Sequence, residues 1–137
     1  MQKKFVRSLE QLDRVFEFVA VFTDKNSLDS FTRNAINLAV EEIFTNMIKY
    51  NPDITQAIQL EMRLQEQEVI VTMTDYEEEP FDLTTIKVYD LEKSLEDRPV
   101  GKLGLHLVKK VMDKIEYSHR DGKTVIIMVK HLGEKNA

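Results

Sequence analysis

The sequence predicts an α+β fold, a two-layer sandwich in which a mostly antiparallel sheet has three helices packed on one face. Two pairs of segments with alternating apolar residues are each joined by a short polar turn, as in β-hairpins. Three other segments repeat apolar residues at helical spacing. The elements follow the order β-α-α-β-β-loop-α-β-β, and residues 1–137 form a single domain.

The first half of the chain is predicted to hold one short strand and two helices. KKFVR, residues 3–7, is the strand. The first helix runs from Ser8, whose hydroxyl can cap it, to about Phe22. The second helix runs from about Asp29 to Tyr50, and the following NPD stops it.

The two hairpins are predicted downstream of these helices. Residues 58–64 alternate apolar and polar side chains, and EVIVTMTD, residues 68–75, is their antiparallel partner. The last two strands lie around IEYSHR and TVIIMVKH. They meet at Asp121-Gly122, a residue pair that favours a two-residue hairpin turn.

Bulk composition excludes several classes of protein. Hydrophobic residues make up 42% and charged residues 31%, as in ordinary globular domains. The net charge of -5 argues against direct binding of nucleic acid. The absence of cysteine excludes thiolate metal sites and cysteine nucleophiles, and no apolar run is long enough to span a membrane. We therefore expect a cytoplasmic protein.

Polar side chains interrupt the apolar face predicted for the second helix. The stripe comprises Phe31, Ala35, Leu38 and Ala39. Continued at about 100° per residue, it reaches Glu42 and Asn46, with Lys49 on the same side one turn later. Glu41 falls on the opposite, solvated side.

Two interpretations of these polar side chains remain open at this point. Glu42 forms an internal ion pair, for example with Lys49, because a buried carboxylate without a partner is costly. Alternatively, the stripe opens onto a cavity for a polar ligand. The i,i+4 spacing then lets the Glu42 carboxylate and the Asn46 amide contact the same substrate.

A second motif favours the ligand interpretation. A helix is predicted from Leu103 to Ile115, after the irregular, acidic residues 76–100. The stretch RPVGKLGLHLVKKVMD places Gly101 and Gly104 at the start of that helix. Glycines there allow close approach of the main chain to a ligand, and free N–H groups at a helix N-terminus favour phosphate.

These motifs together resemble the anti-sigma regulatory factor family of serine/threonine-kinase-like ATP-binding domains, in the superfamily of DNA gyrase and sensor histidine kinases. EIFTN matches the family's helix motif, so Glu42 is implied as general base and Asn46 as the Mg²⁺ ligand. Lys49 is assigned to the same nucleotide site. GKLGLHLVKKVMD resembles the second glycine box, which implies phosphate binding by Gly101, Lys102, Leu103 and Gly104.

The resemblance also implies where the adenine lies. GKTVIIMV resembles the family's final strand, whose threonine, here Thr124, lies near the base. The family pattern Asp-x-Gly-x-Pro-Phe corresponds to DYEEEPFD, which contains no glycine. Counted back from Pro80-Phe81, the position of the acid falls on Tyr76, whereas Asp75 follows the strand directly. Asp75 is assigned as the acid that accepts a hydrogen bond from the adenine amino group.

The resemblance implies a histidine-kinase/gyrase ATPase (Bergerat) fold and a kinase that uses ATP and Mg²⁺. Its implied partners are a sigma factor and an anti-anti-sigma protein of the STAS type, whose serine is phosphorylated; such kinases often act as dimers. Neither nucleic acid nor membrane is implied as a direct partner. The alternatives are a partner-switching binding module whose nucleotide site is lost with the missing glycine, and a plain ATPase or accessory domain.

Overall fold

Five strands form one sheet in the order β1-β2-β3-β5-β4, and every neighbouring pair is antiparallel. This is a computed structural model that describes residues 1–50, 55–76 and 102–132. The strands are β1 (Gln2–Phe5), β2 (Ile58–Gln65), β3 (Glu68–Tyr76), β4 (Lys114–Arg120) and β5 (Lys123–His131). The helices in these ranges are α1 (Leu12–Lys25), α2 (Ser30–Tyr50) and α3 (Lys102–Val111).

The core lies between the sheet and the helices. Alternate side chains of the strands are buried; in β2 these are Ile58, Leu60 and Met62. They form one apolar cluster with residues of all three helices, such as Val40 of α2 and Val108 of α3. The predicted fold class is thereby confirmed, as is the order of the elements that lie in the described residues.

The ends of two helices differ from the prediction. The first helical segment opens as a 3-10 helix, Leu9–Gln11, and the Ser8 hydroxyl accepts a hydrogen bond from the Glu10 N–H. The third helix ends at Val111 instead of Ile115. The main-chain N–H of Asp113 donates to the Val129 carbonyl of β5 at 2.9 Å, so the chain has already joined the sheet.

The buried face of α2 is rotated from the predicted stripe. Phe31 was expected to be buried, but it is 73% exposed, and the Lys130 ammonium lies 5.4 Å from the centre of its ring. The residues that do face the core are Ala35, Ile36, Ala39, Val40, Ile43, Phe44 and Met47. The stripe drawn through Phe31 therefore begins on the wrong side of the helix.

The turn at Asp121-Gly122 is confirmed. Both residues have positive φ, 54° and 74°, the combination that a two-residue turn needs to match the twist of its strands. The acidic stretch after Tyr76, the NPD segment and Gly101 lie outside the described residues. Within the described part of the chain, no helix is long and apolar enough to cross a membrane.

Candidate functional site

Helix α2 gives its three predicted polar site residues different environments. Asn46 is buried, with 6% of its surface exposed, whereas Glu42 is half-buried and Lys49 is exposed. Across the described residues, Glu42 and Lys49 form no ion pair with each other. The internal-pair interpretation of Glu42 is therefore not supported, and the Glu42 carboxylate lies at the rim of the buried face.

Asp75, near the end of β3, is the most buried carboxylate of the described residues and forms an ion pair with Arg7. The side chains of Asp75 and Arg7 are 1% and 6% exposed. Both terminal nitrogens of Arg7 donate to the same carboxylate oxygen, Oδ1, at 2.9 and 2.8 Å. Arg7 lies between β1 and the 3-10 helix, so this bond ties the beginning of the chain to the middle of the sheet.

Arg7 also joins this carboxylate to helix α2. Its Nη2 donates to the main-chain carbonyl of Met47 at 3.3 Å. Met47 is the residue after Asn46, so the guanidinium lies between the Asp75 carboxylate and the turn of α2 that carries Asn46. Arg7 thus connects the Asp75 carboxylate to the turn of α2 that carries Asn46.

Thr124 and His119 extend this polar cluster across the sheet. Asp75 faces Thr124 on β5, and Thr124 faces His119 on β4, so the three side chains lie in one transverse row. All three are buried, and His119 Nδ1 lies 2.9 Å from the Thr124 hydroxyl. We name Arg7, Asp75, Thr124 and His119 the polar row.

The second glycine box lies beside α2. Lys102 is the first residue of α3, and Gly104 lies in the first turn of that helix. Helix α3 packs against α2, so the start of α3 and the Asn46 helix belong to the same layer. Arg7 links the Asp75 carboxylate to the Met47 carbonyl next to Asn46, and Asp75 lies opposite Thr124 in the sheet. Gly101 lies outside the described residues.

Two members of the polar row were not predicted. Arg7 follows a short strand without any local motif, and its partner is 68 residues away. His119 lies in a predicted strand, without a local motif that marks it as a site residue. Its position could have been found, because a two-residue turn at Asp121-Gly122 places His119 opposite Thr124.

The chemistry of the site fits a ligand rich in hydrogen-bond acceptors, such as a nucleotide with Mg²⁺. Asn46 Nδ2 and Arg7 Nε are buried donors that form no hydrogen bond in the described part of the chain. Buried donors in native proteins are nearly always paired. The described residues hold no cluster of three or more acidic, histidine or cysteine ligands. Mg²⁺ bound with nucleotide phosphates needs only one or two protein oxygens, and Asn46 offers one.

A separate cavity lies at the opposite end of the sheet. It has a volume of about 330 Å³ and is lined by the turn between β2 and β3, including Glu66, and by the connection from α1 to α2, including Ser27. Asp75 lies nine residues further along the chain than Glu66, about 25 to 30 Å at strand spacing. This cavity is therefore not part of the Asn46 and Asp75 site.

Residues 5–130 match the family model described as histidine kinase-like ATPase domain. Serine-protein kinases RsbW from Bacillus mycoides and Bacillus cereus are 30% identical over 98 residues, 67% of this chain. The chain spans 60% of the length of these curated relatives.

Two solved structures share the fold. A structure of the SiaB–SiaC complex from Pseudomonas aeruginosa matches with a TM-score of 0.66 and 10% identity, over 94% of this chain and 88% of that one. The Acinetobacter baumannii histidine kinase AdeS matches with a TM-score of 0.54 and 15% identity, over 98% and 68%. At these identities the two structures support the fold alone.

Proposed function

Because the chain belongs to the histidine kinase-like ATPase domain family, we propose that it binds ATP with Mg²⁺ and phosphorylates a serine or threonine of a partner protein. The observation that best supports this proposal is the buried Asn46 amide, whose Nδ2 forms no hydrogen bond in the described residues. Asn46 directly precedes Met47, whose carbonyl accepts a hydrogen bond from the same Arg7 that pairs with Asp75. The curated relatives are named serine-protein kinases, which supports a kinase rather than a plain ATPase.

Each proposed site residue has a role that its position allows. The Asn46 amide oxygen would hold the metal. Asp75, which lies beside Thr124, would accept a hydrogen bond from the adenine amino group. The main chain at Gly101, Lys102, Leu103 and Gly104 would bind the phosphates, because free N–H groups at the start of a helix favour anions. Lys49 is exposed and would contact the nucleotide only from the outside of the site.

Glu42 is the proposed general base. It lies one turn before Asn46 on α2, about 6 Å along the helix axis, and it is half-buried, so a partner's hydroxyl can reach its carboxylate. Glu42 would take the hydroxyl proton while the hydroxyl oxygen bonds to the γ-phosphorus and the bond to the β-phosphate oxygen breaks, which releases ADP. When bound, Mg²⁺ supplies neutralisation of the phosphate charge.

The partner is proposed to be an anti-anti-sigma protein of the STAS type, with a sigma factor as the alternative partner of the same domain. The naming of the relatives as serine-protein kinases supports a protein substrate. The structural neighbour comes from a complex of two proteins, SiaB and SiaC, which supports a protein as the partner. We propose that the kinase acts in the cytoplasm, as a homodimer.

One observation favours a second candidate, a partner-switching module that binds no nucleotide. Asp75, the proposed adenine-binding acid, already accepts two hydrogen bonds from Arg7 within the chain itself. If adenine cannot share this carboxylate, the site recognises a protein partner without ATP. ATP binding separates the two candidates directly.

The kinase proposal is tested by incubating the chain and a STAS-type partner with ATP labelled at the γ-phosphate. We expect label on a serine or threonine of the partner. Glu42→Gln should lower the transfer rate by about 10²–10⁴-fold with little change in ATP affinity, because only the proton acceptor is lost. Glu41→Gln, on the neighbouring position of the same helix, is the matched control and should keep the rate. Equal rates in both variants would contradict the role of Glu42.

A further inference from the structure

We propose that Arg7 is a positioning residue that sets the base selectivity of the site. It holds Asp75 as an ionised hydrogen-bond acceptor, which favours 6-amino purines over 6-oxo purines. The inference rests on the proposed function, since it takes Asp75 to face the base. It adds to that function a residue from the N-terminal segment and a selectivity that can be measured without the transfer reaction.

The ion pair between Arg7 and Asp75 is held in a fixed geometry. The two terminal nitrogens of Arg7 approach Oδ1 end-on at 2.9 and 2.8 Å, and the same guanidinium is anchored to the Met47 carbonyl at 3.3 Å. With 6% of its side chain exposed, Arg7 is not a surface charge that solvent screens. Asp75 therefore has a fixed cation beside it, held from two directions.

The Arg7 cation favours the ionised form of the Asp75 carboxyl. A buried carboxylate stays ionised only when it is paired; without a cation it takes up a proton. An ionised carboxylate only accepts hydrogen bonds, whereas a protonated one also donates. Arg7 thus keeps Asp75 an acceptor.

An ionised Asp75 matches the hydrogen-bonding pattern of adenine. The 6-amino group of adenine donates a hydrogen bond, which an ionised Asp75 can accept. A 6-oxo purine presents an acceptor oxygen at the same place. That oxygen and the ionised carboxylate are both acceptors, so they form no hydrogen bond. A site built around one charged acceptor discriminates strongly against a ligand that lacks the matching donor. The polar row therefore selects ATP over ITP.

The test compares the affinities of ATP and ITP, each with Mg²⁺, by calorimetric titration of the wild-type chain, Arg7→Lys and Arg7→Gln. The lysine variant keeps the charge, and the glutamine variant keeps an N–H donor for Asp75 but removes the charge. We expect the wild type to prefer ATP by about tenfold or more, as one hydrogen bond to a charged group allows. Arg7→Lys should keep most of this ratio, whereas Arg7→Gln should lower it to about threefold or less.

Circular dichroism tests whether each variant is folded. The ratio of the ATP and ITP affinities within one variant does not depend on a general loss of stability. A folded Arg7→Gln with the wild-type ratio would overturn the inference, as would a wild type that binds ATP and ITP equally. If the wild type binds neither nucleotide, the proposed function itself fails and the inference fails with it. The two failures are therefore distinguishable.

Discussion

Replacement of Arg7 by Met should be among the most destabilising single changes in the described part of the chain. It leaves the Asp75 carboxylate, 1% exposed, without its cation and with two hydrogen bonds lost. Removal of one partner from a buried ion pair typically costs about 3–5 kcal/mol. For a domain of this size that corresponds to a fall in Tm of roughly 10–20 °C.

The measurement is urea unfolding followed by circular dichroism, with free energies of unfolding obtained by linear extrapolation. The double variant Arg7→Met with Asp75→Asn carries no uncompensated buried charge. We expect it to be about 2 kcal/mol more stable than Arg7→Met alone. Strictly additive losses in the double variant would refute the reasoning, because they would show that the unpaired charge is not what destabilises the single variant.

The chain offers a matched control for this experiment. Arg33 and Asp24 also form an ion pair, at 3.3 Å, but their side chains are 36% and 72% exposed. Exposed pairs contribute about 0–1 kcal/mol because solvent screens both charges. Arg33→Met should therefore lose less than about 1 kcal/mol, and a loss equal to that of Arg7→Met would mean that burial does not set the difference.

Two further predictions concern the last hairpin. His119→Ala removes the buried side chain that contacts the Thr124 hydroxyl, and it should lower the free energy of unfolding by about 1–3 kcal/mol. The control is His131→Ala, at an exposed pair with Glu68, which should change that free energy by under about 1 kcal/mol. Gly122, at φ 74°, has a left-handed backbone, so Gly122→Ala should lower the free energy of unfolding by about 1–2 kcal/mol. Gly122→Asn should lower it less, because Asn tolerates this conformation. Equal stabilities of the two variants in chemical denaturation would exclude this strain.

Local patterns in the sequence predicted most of the fold. The alternation of apolar and polar residues predicts β2 and β3, and Asp121-Gly122 predicts the last turn. These features depend on neighbouring residues alone. The buried stripe of α2 was predicted wrongly at Phe31, since a single aromatic residue does not reveal which side of a helix the sheet will cover. The end of α3 was also wrong, because a main-chain bond from Asp113 to a strand far along the chain ends it.

The candidate site was predictable where its residues share one element. Glu42 and Asn46 lie one turn apart on one helix, and Asp75 ends a recognisable strand, so a motif could identify each of them. Arg7 could not be predicted, because a single charged residue after a short strand is normally a surface residue. Its burial depends on the distant Asp75 carboxylate, and sequence spacing contains no information about such a contact.

Calorimetric titration of the purified chain with ATP, first with Mg²⁺ and then with EDTA, tests the proposed nucleotide site. We predict binding that depends on Mg²⁺, that is lost in Asn46→Ala, and that persists in Asn34→Ala, an exposed amide on the same helix. Wild-type binding unaffected by EDTA, or equal binding by the two variants, would contradict the role of Asn46. No binding at millimolar ATP would contradict the nucleotide site itself and favour the module that recognises protein partners without ATP.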